Sequence, residues 1–269
     1  MKTYEQVFSE LKKKKEGALI AFTVIGDPDY KTSLEIVKKI ADSGADILEL
    51  GIPFSDPIAD GKTIQAADVR ALLNGMNTDK AFSFVKELRK HTDIPIGLLT
   101  YYNLAYQHGI FKFYSDSGKA GVNSILIADL PIEESNDAIK ASKKTGVDTV
   151  FMASQLSPDG RIRKIASLSN GFIYLVSRLG VTGTRDDLSK STISLIKRVR
   201  KFTLKPLCVG FGISTPAHVK DVIKSGADGA IVGSAIVEVI RNNINDKGKM
   251  SSAIRNFVMK LKTATFKKG

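Results

Sequence analysis

Two carboxylates, Glu49 and Asp60, share one stretch, Glu49-Leu50-Gly51-Ile52-Pro53-Phe54-Ser55-Asp56-Pro57-Ile58-Ala59-Asp60-Gly61. Glu49 lies near the end of an apolar run, Asp46-Ile47-Leu48-Glu49-Leu50, that reads as a strand. Asp60 closes a loop too rich in Pro, Gly and Asp to be regular. A carboxyl set among Leu and Ile on a strand wall is desolvated, which raises its pKa and lets it give and take a proton near neutrality. Asp60, in a looser and more polar loop, is expected to stay ionised and to accept a hydrogen bond from an N–H. Two carboxyls whose surroundings push their pKa values apart form an acid/base arrangement. Both residues also have structural readings: Glu49 as the buried partner of a backbone amide, Asp60 as the N-cap of a helix from 62. Residue type and spacing leave both open.

Two glycine turns supply a different chemistry. Gly210-Phe211-Gly212-Ile213-Ser214 and Gly233-Ser234-Ala235 each follow an apolar run and lead into a helix start. Free backbone N–H groups at a helix start suit a phosphate, although each turn alone could be an ordinary tight turn. The segment Ser177-Arg178-Leu179-Gly180-Val181-Thr182-Gly183-Thr184-Arg185 is long, polar and glycine-bearing. It reads either as a lid that closes over substrate or as a surface loop.

These groups need a frame. Eight short apolar strands are expected at 18–24, 46–50, 94–99, 124–128, 148–152, 172–176, 206–209 and 229–232. Helical spacing is read between them, including 34–41, 78–90, 108–118, 133–144, 158–167, 191–201 and 216–224, with a last helix near 249–262. Two helices fall outside that rhythm: a leading one at 4–15 and one at 62–73 after the second strand. Glycines at 44, 121, 146 and 226 sit where a left-handed helix cap is needed before the next strand. Continuous rather than alternating apolar strands imply a parallel sheet covered by helices, and eight such units imply a closed (β/α)8 TIM barrel. No linker divides the chain, so residues 1–269 are expected to form a single barrel domain. In such a barrel the C-terminal strand ends carry the chemistry, and phosphate sites recur at strands 7 and 8.

The totals exclude several classes. No run of about 18 apolar residues exists to span a membrane, and the N-terminus lacks the apolar core of a signal peptide. The lone cysteine, Cys208, allows no disulfide and reads as a small core residue, which fits a reducing cytoplasm. The three histidines, His91, His108 and His218, fall in or beside outer helices, are expected at the surface, and show no metal-ligand spacing. The formal charge of +12 comes from scattered lysines without interleaved aromatics, which points to a solvated surface more than to a nucleic-acid site.

Several collinear motifs spread over nearly the whole chain carry a family resemblance. ELGIPFSDPIADG (49–61) with GKTIQAA (61–67), TYYN (100–103), ADLPIEES (128–135), YLVSRLGVTGT (174–184), GFGIS (210–214) and GADGAIVGSAIV (226–237) resemble the tryptophan synthase alpha subunit family. The resemblance implies cofactor-free retro-aldol cleavage of indole-3-glycerol phosphate to indole and glyceraldehyde 3-phosphate. It implies that Glu49 is the acid/base that protonates the indole ring and that Asp60 holds the ring N–H. Gly183, Gly212, Gly233 and Ser234 match phosphate-binding positions, and Phe22, Leu99, Tyr101, Leu126, Ala128, Tyr174 and Phe211 match the pocket wall. Arg178 and Thr182 match the lid. The implied partner is a pyridoxal-phosphate beta subunit, docked on loop 53–60, Asn103, Asp129 and Pro131 in an alpha2-beta2 heterotetramer. Leu104 stands where many members carry Pro, and Ala153-Ser154-Gln155-Leu156 is more polar than the family's usual stretch. The motifs do not separate this reading from a stand-alone lyase of the same fold. A non-catalytic barrel that binds a phosphate ligand is the more distant alternative.

Overall fold

Apolar runs and amphipathic stretches alternate along the sequence, and strands and helices alternate with them. The computed structural model describes residues 1–177 and 185–266, the side chains of 185–189 excepted. In chain order the elements are α1 (Tyr4–Lys13), β1 (Ala18–Val24), α2 (Tyr30–Asp42), β2 (Ile47–Gly51), α3 (Lys62–Leu73), α4 (Thr78–Leu88) and β3 (Ile96–Thr100). Next come α5 (Tyr102–His108), α6 (Ile110–Ala120), β4 (Ser124–Ile127), a 3-10 turn (Ile132–Glu134), α7 (Asn136–Thr145), β5 (Asp148–Thr149) and β6 (Met152–Ser154). Then follow α8 (Asp159–Leu168), β7 (Ile173–Val176), α9 (Arg185–Arg200), β8 (Leu207–Gly210), α10 (Pro216–Lys224), β9 (Gly229–Val232), α11 (Ser234–Asn242) and α12 (Lys247–Thr263).

The strand order is β5-β4-β3-β2-β1-β9-β8-β7-β6, with every strand pair parallel. Its two ends are halves of one strand, separated by Val150 and Phe151 alone. Val150 N–H donates to Ile125 O on the β4 side at 3.0 Å, and Phe151 O accepts from Tyr174 N–H on the β7 side at 3.1 Å. The sheet therefore closes into an eight-stranded barrel whose fifth strand is kinked. The expected strand at 148–152 is corrected accordingly: it is broken in two and runs on to Ser154.

Alternation along each strand divides the apolar residues into two cores. Ala18, Ile20, Ile47, Leu126, Val150, Phe172, Tyr174, Cys208 and Ile231 pack inside the barrel. Leu19, Leu48, Leu50, Leu98, Ile125, Leu175 and Val209 pack outward against the helices. The extra helix α1 plugs the N-terminal mouth. Its Tyr4 hydroxyl meets Ser124 Oγ at 2.7 Å, and its ring stands edge-on to Phe172 at 5.5 Å. Gly97 leaves room for it, since a Cβ there would lie 3.1 Å from that hydroxyl.

Other expectations shift locally. The helix expected at 108–118 starts at Ile110 and runs to Ala120, because Gly109 at φ +85° separates it from a preceding helix that ends at His108. The helix expected at 133–144 begins only after the 3-10 turn. The helix expected at 191–201 already runs from Arg185. His108 is mostly buried against Phe82 and Phe113 and bonded to Asp116 at 3.0 Å, so it is not a surface residue. Glycines 44, 121, 146 and 226 all have positive φ, as their capping role requires. Cys208 is buried. No helix among the described residues is long and apolar enough to cross a membrane.

Candidate active site

Glu49 points into the barrel because it alternates with the outward Leu48 and Leu50. Parallel register sets it beside Phe22 on β1 and Gly97 on β3. It is 4% exposed, and its Oε2 has no hydrogen-bond partner. Burial first, then the neighbouring Asp60, push its carboxyl up to about 8. Nothing ties that oxygen to a backbone amide, which is what the structural reading of Glu49 required.

Asp60 does not cap α3. Gly61 occupies that position without a side-chain bond. Instead Asp60 Oδ2 accepts a hydrogen bond from the Tyr101 hydroxyl at 2.7 Å, and that hydroxyl accepts the Ala59 N–H at 3.1 Å. Asp60 is expected to stay ionised in a loose polar loop; the loop is tighter than that, because Asp60 is held by Tyr101. Burial pushes its carboxyl up, and the Tyr101 hydrogen bond opposes the rise. The loop before it is pinned by the Phe54 ring, stacked on Tyr101 at 5.2 Å, and by Ile52 N–H donating to Leu99 O at 2.9 Å.

Both carboxyls open onto one cavity of about 180 Å³ at the C-terminal mouth. Phe22, Leu99, Tyr174, Phe211, Gly212, Gly233 and Ser234 line it with them. Tyr101 reaches the site through Asp60 rather than the cavity wall. Leu126 lies deeper, in the interior below Glu49, and Ala128 lines a separate cavity of about 330 Å³ at the ends of β4 and β6. Neither lines the main cavity. Arg178, Thr182 and Gly183 lie outside the described residues.

The far wall is built from backbone. Phe211 and Gly212 both have left-handed φ, +69° and +74°. Ser177 Oγ fixes that turn by donating to Gly210 O and Phe211 O, each at 3.0 Å. Gly210 has to be bare, since a Cβ there would fall on the Tyr174 hydroxyl. At Gly233 a Cβ would come 3.0 Å from Phe22 Cδ1. Helix α11 starts at Ser234 with no side-chain cap, so its first N–H groups face the cavity mouth unpaired by the helix. Such a start binds anions.

Ile64, Ile213, Ser214, Ile231 and Ala235 also line the cavity, and sequence reasoning did not single them out. Ile231 was accessible from alternation with Gly229, and Ser214 from its place after the Gly-x-Gly turn. In the sequence Ser177 is only the start of the lid-or-loop segment, and its hydrogen bond to a turn 33 residues away is visible only in the fold. The polar run at Ser154-Gln155 serves as an anchor for α9: Gln155 Nε2 donates to Ser191 O, and Arg198 donates to Gln155 O at 3.1 Å. Among the described residues no cluster of His, Cys, Asp and Glu could hold a metal.

The rim over β2, β3 and β4 carries a different surface. Ser55, Asp56, Asn103, Asp129 and Pro131 are exposed there, with Ile58 82% and Tyr106 60% exposed. Asp129 Oδ1 accepts the Tyr102 N–H at 2.6 Å and ties two of these strand ends together.

The family model described as "Tryptophan synthase alpha chain" matches residues 8–266. A tryptophan synthase alpha chain from Methanothermobacter thermautotrophicus is 48% identical over 258 residues, covering 96% of each chain. One from Methanoregula boonei is 46% identical over 97% of each. The structure of tryptophan synthase subunit alpha from Legionella pneumophila superposes with a TM-score of 0.90 at 28% identity, covering 98% of both chains. A chain from the tryptophan synthase a2b2 complex of Pyrococcus furiosus gives 0.85 at 40% identity, over 92% of this chain and 98% of that one.

Proposed function

The chain belongs to the tryptophan synthase alpha chain family, and from that premise we propose that it cleaves indole-3-glycerol phosphate to indole and glyceraldehyde 3-phosphate. The observation that carries the reading is the buried, partnerless Oε2 of Glu49, opening with Asp60 onto one cavity that ends at a helix start.

In this reading the phosphate lies against the backbone of Gly212, Gly233 and Ser234, where the α11 dipole favours negative charge. The indole ring lies among Phe22, Leu99, Tyr174 and Phe211. Glu49, neutral at pH 7 because its carboxyl is pushed up to about 8, gives its proton to C3 of the ring. Positive charge then develops toward the ring nitrogen, whose N–H donates to Asp60. The Tyr101 hydrogen bond keeps Asp60 anionic and aimed. The bond from C3 to the glycerol carbon breaks as the hydroxyl on that carbon loses its proton to Glu49 and becomes an aldehyde. One proton is given and one is taken back, so the step balances without an electron acceptor.

A beta subunit takes up the indole in this reading. Loop 53–60, Asn103, Asp129 and Pro131 form its docking face, and the exposed Ile58 and Tyr106 supply apolar area there. The chain acts as one barrel domain over residues 1–269. Its single buried thiol, Cys208, suits a reducing cytoplasm. The test is indole release from indole-3-glycerol phosphate by the purified chain, with and without a beta subunit. Release that rises on adding the partner supports the reading, and no release in either case overturns it.

A further inference from the structure

Two described residues other than glycine have positive φ, Lys15 and Phe211, and Phe211 is the one on the cavity wall, at +69°. Gly212 follows it at +74°. A residue with a Cβ keeps a left-handed backbone only where its surroundings hold it there. The Phe211 ring is 43% exposed and stands edge-on to Tyr174 at 6.2 Å, so its packing adds little restraint.

The restraint comes from Ser177, the residue after β7, itself 4% exposed. Its N–H donates to Gly210 O at 3.2 Å. Its hydroxyl donates to Gly210 O and to Phe211 O, each at 3.0 Å. Across a trans peptide the C=O and the following N–H point opposite ways. Turning two successive carbonyls toward Ser177 therefore turns two successive N–H groups, those of Phe211 and Gly212, away from it. Ser177 does not line the cavity, whereas Phe211 and Gly212 do. Neither N–H has an acceptor among the described residues.

We propose that Ser177 is a positioning residue for the substrate's phosphate: its hydroxyl holds the turn so that the Phe211 and Gly212 N–H groups meet the phosphate oxygens. The proposal rests on the reading of this wall as the phosphate site. Successive N–H groups aimed at one point form an anion-binding nest. These two add to the start of α11 at Ser234, which follows the neighbouring strand β9. The Ser177 hydroxyl acts on binding and not on proton transfer, because Glu49 and Asp60 reach the cavity from β2 and the loop after it.

The experiment uses the full chain, alone for binding and with its beta subunit for kinetics, as wild type and as Ser177→Ala. Ala keeps the backbone bond to Gly210 O and removes the hydroxyl. Inorganic phosphate and indole are titrated separately, one for each half of the site. Phosphate binding to Ser177→Ala is expected to weaken by about five- to tenfold, the effect of losing one hydrogen bond, with indole binding within about twofold. KM for indole-3-glycerol phosphate is expected to rise by about five- to tenfold with kcat within about twofold, since the lost contact serves binding. Wild-type phosphate affinity in Ser177→Ala would overturn the proposal, as would equal losses for phosphate and indole, or a fall in kcat at unchanged KM. Where Ser177→Ala does not fold, the wild type decides. Its Phe211 and Gly212 amide NMR signals are expected to shift as inorganic phosphate is added, and unmoved signals would overturn the proposal. Phosphate binding needs no turnover, so a wild type that binds phosphate at these amides and releases no indole sinks the reaction and leaves the Ser177 turn standing.

Discussion

Asp46, at the foot of β2, and Glu49, near its top, belong to opposite mouths of the barrel. Asp46 Oδ2 accepts the Leu19 N–H at 2.8 Å and the Lys262 ammonium at 2.9 Å. The pattern repeats around the foot. Asn123 Oδ1 accepts the Ile96 N–H at 2.9 Å and an Arg89 N–H at 2.7 Å. Asp228 Oδ2 accepts the Leu207 N–H at 2.9 Å and pairs with Arg200. Each side chain stitches one strand start to its neighbour and to a cation from a helix. At the other mouth the oxygens of Glu49 and Asp68 are the buried carboxylate oxygens left bare among the described residues. On β2 the paired Asp46 holds the foot of the barrel shut, while Glu49, a few residues on, is unpaired and held ready for a substrate.

That contrast can be broken by mutation. Glu49→Gln is expected to lower indole release by about 10²- to 10⁴-fold, the range of one acid/base group, with no drop in the unfolding midpoint. A variant that loses stability along with activity would remove the distinction. Asp60→Asn is expected to cost about 10²-fold, as loss of one preorganised charge does, with kcat falling more than KM rises. At the foot the effect reverses. Asp46→Ala is expected to lose about 1–3 kcal/mol of stability in urea unfolding, because the Leu19 N–H is orphaned, while kcat per folded molecule stays put. Lys262 keeps its second partner, Glu16, at 2.9 Å, which limits the loss.

The smallest effect is in pH. Glu49 is raised from 4.5 to about 8 in the native state. Between those values the folded chain keeps a proton that the unfolded chain releases. The contribution is therefore fully present at low pH and is lost as pH rises through about 8. Glu49→Gln removes that dependence, so it is expected to unfold at a higher temperature than wild type at about pH 8.5 and to lose that advantage as the pH is lowered toward 4.5, as thermal unfolding across pH would read.

The parts legible in the sequence were those set by local pattern. Helix 62–73 matches α3 to the residue, and the glycine caps fall where the chain turns left-handed. The barrel and the inward face of Glu49 follow from counting strands and alternating residues. Effects carried by distant partners were not legible. The kink at Val150-Phe151 arises because the fifth strand bonds to β4 at its foot and to β7 at its top. The hydrogen bond that holds Asp60 comes from Tyr101, 41 residues later, and no local pattern shows it. The burial of Asp68 within helix α3 is likewise visible only in the fold.

The most direct measurement is a titration of the Glu49 carboxyl by carbon NMR, identified by the signal missing in Glu49→Gln. An apparent pKa near 8 is predicted for a buried, unpaired acid held to carry a proton. A value near 4.5, the ordinary range for the side chain, would contradict the claim that the upper mouth keeps its carboxyl ready for proton transfer.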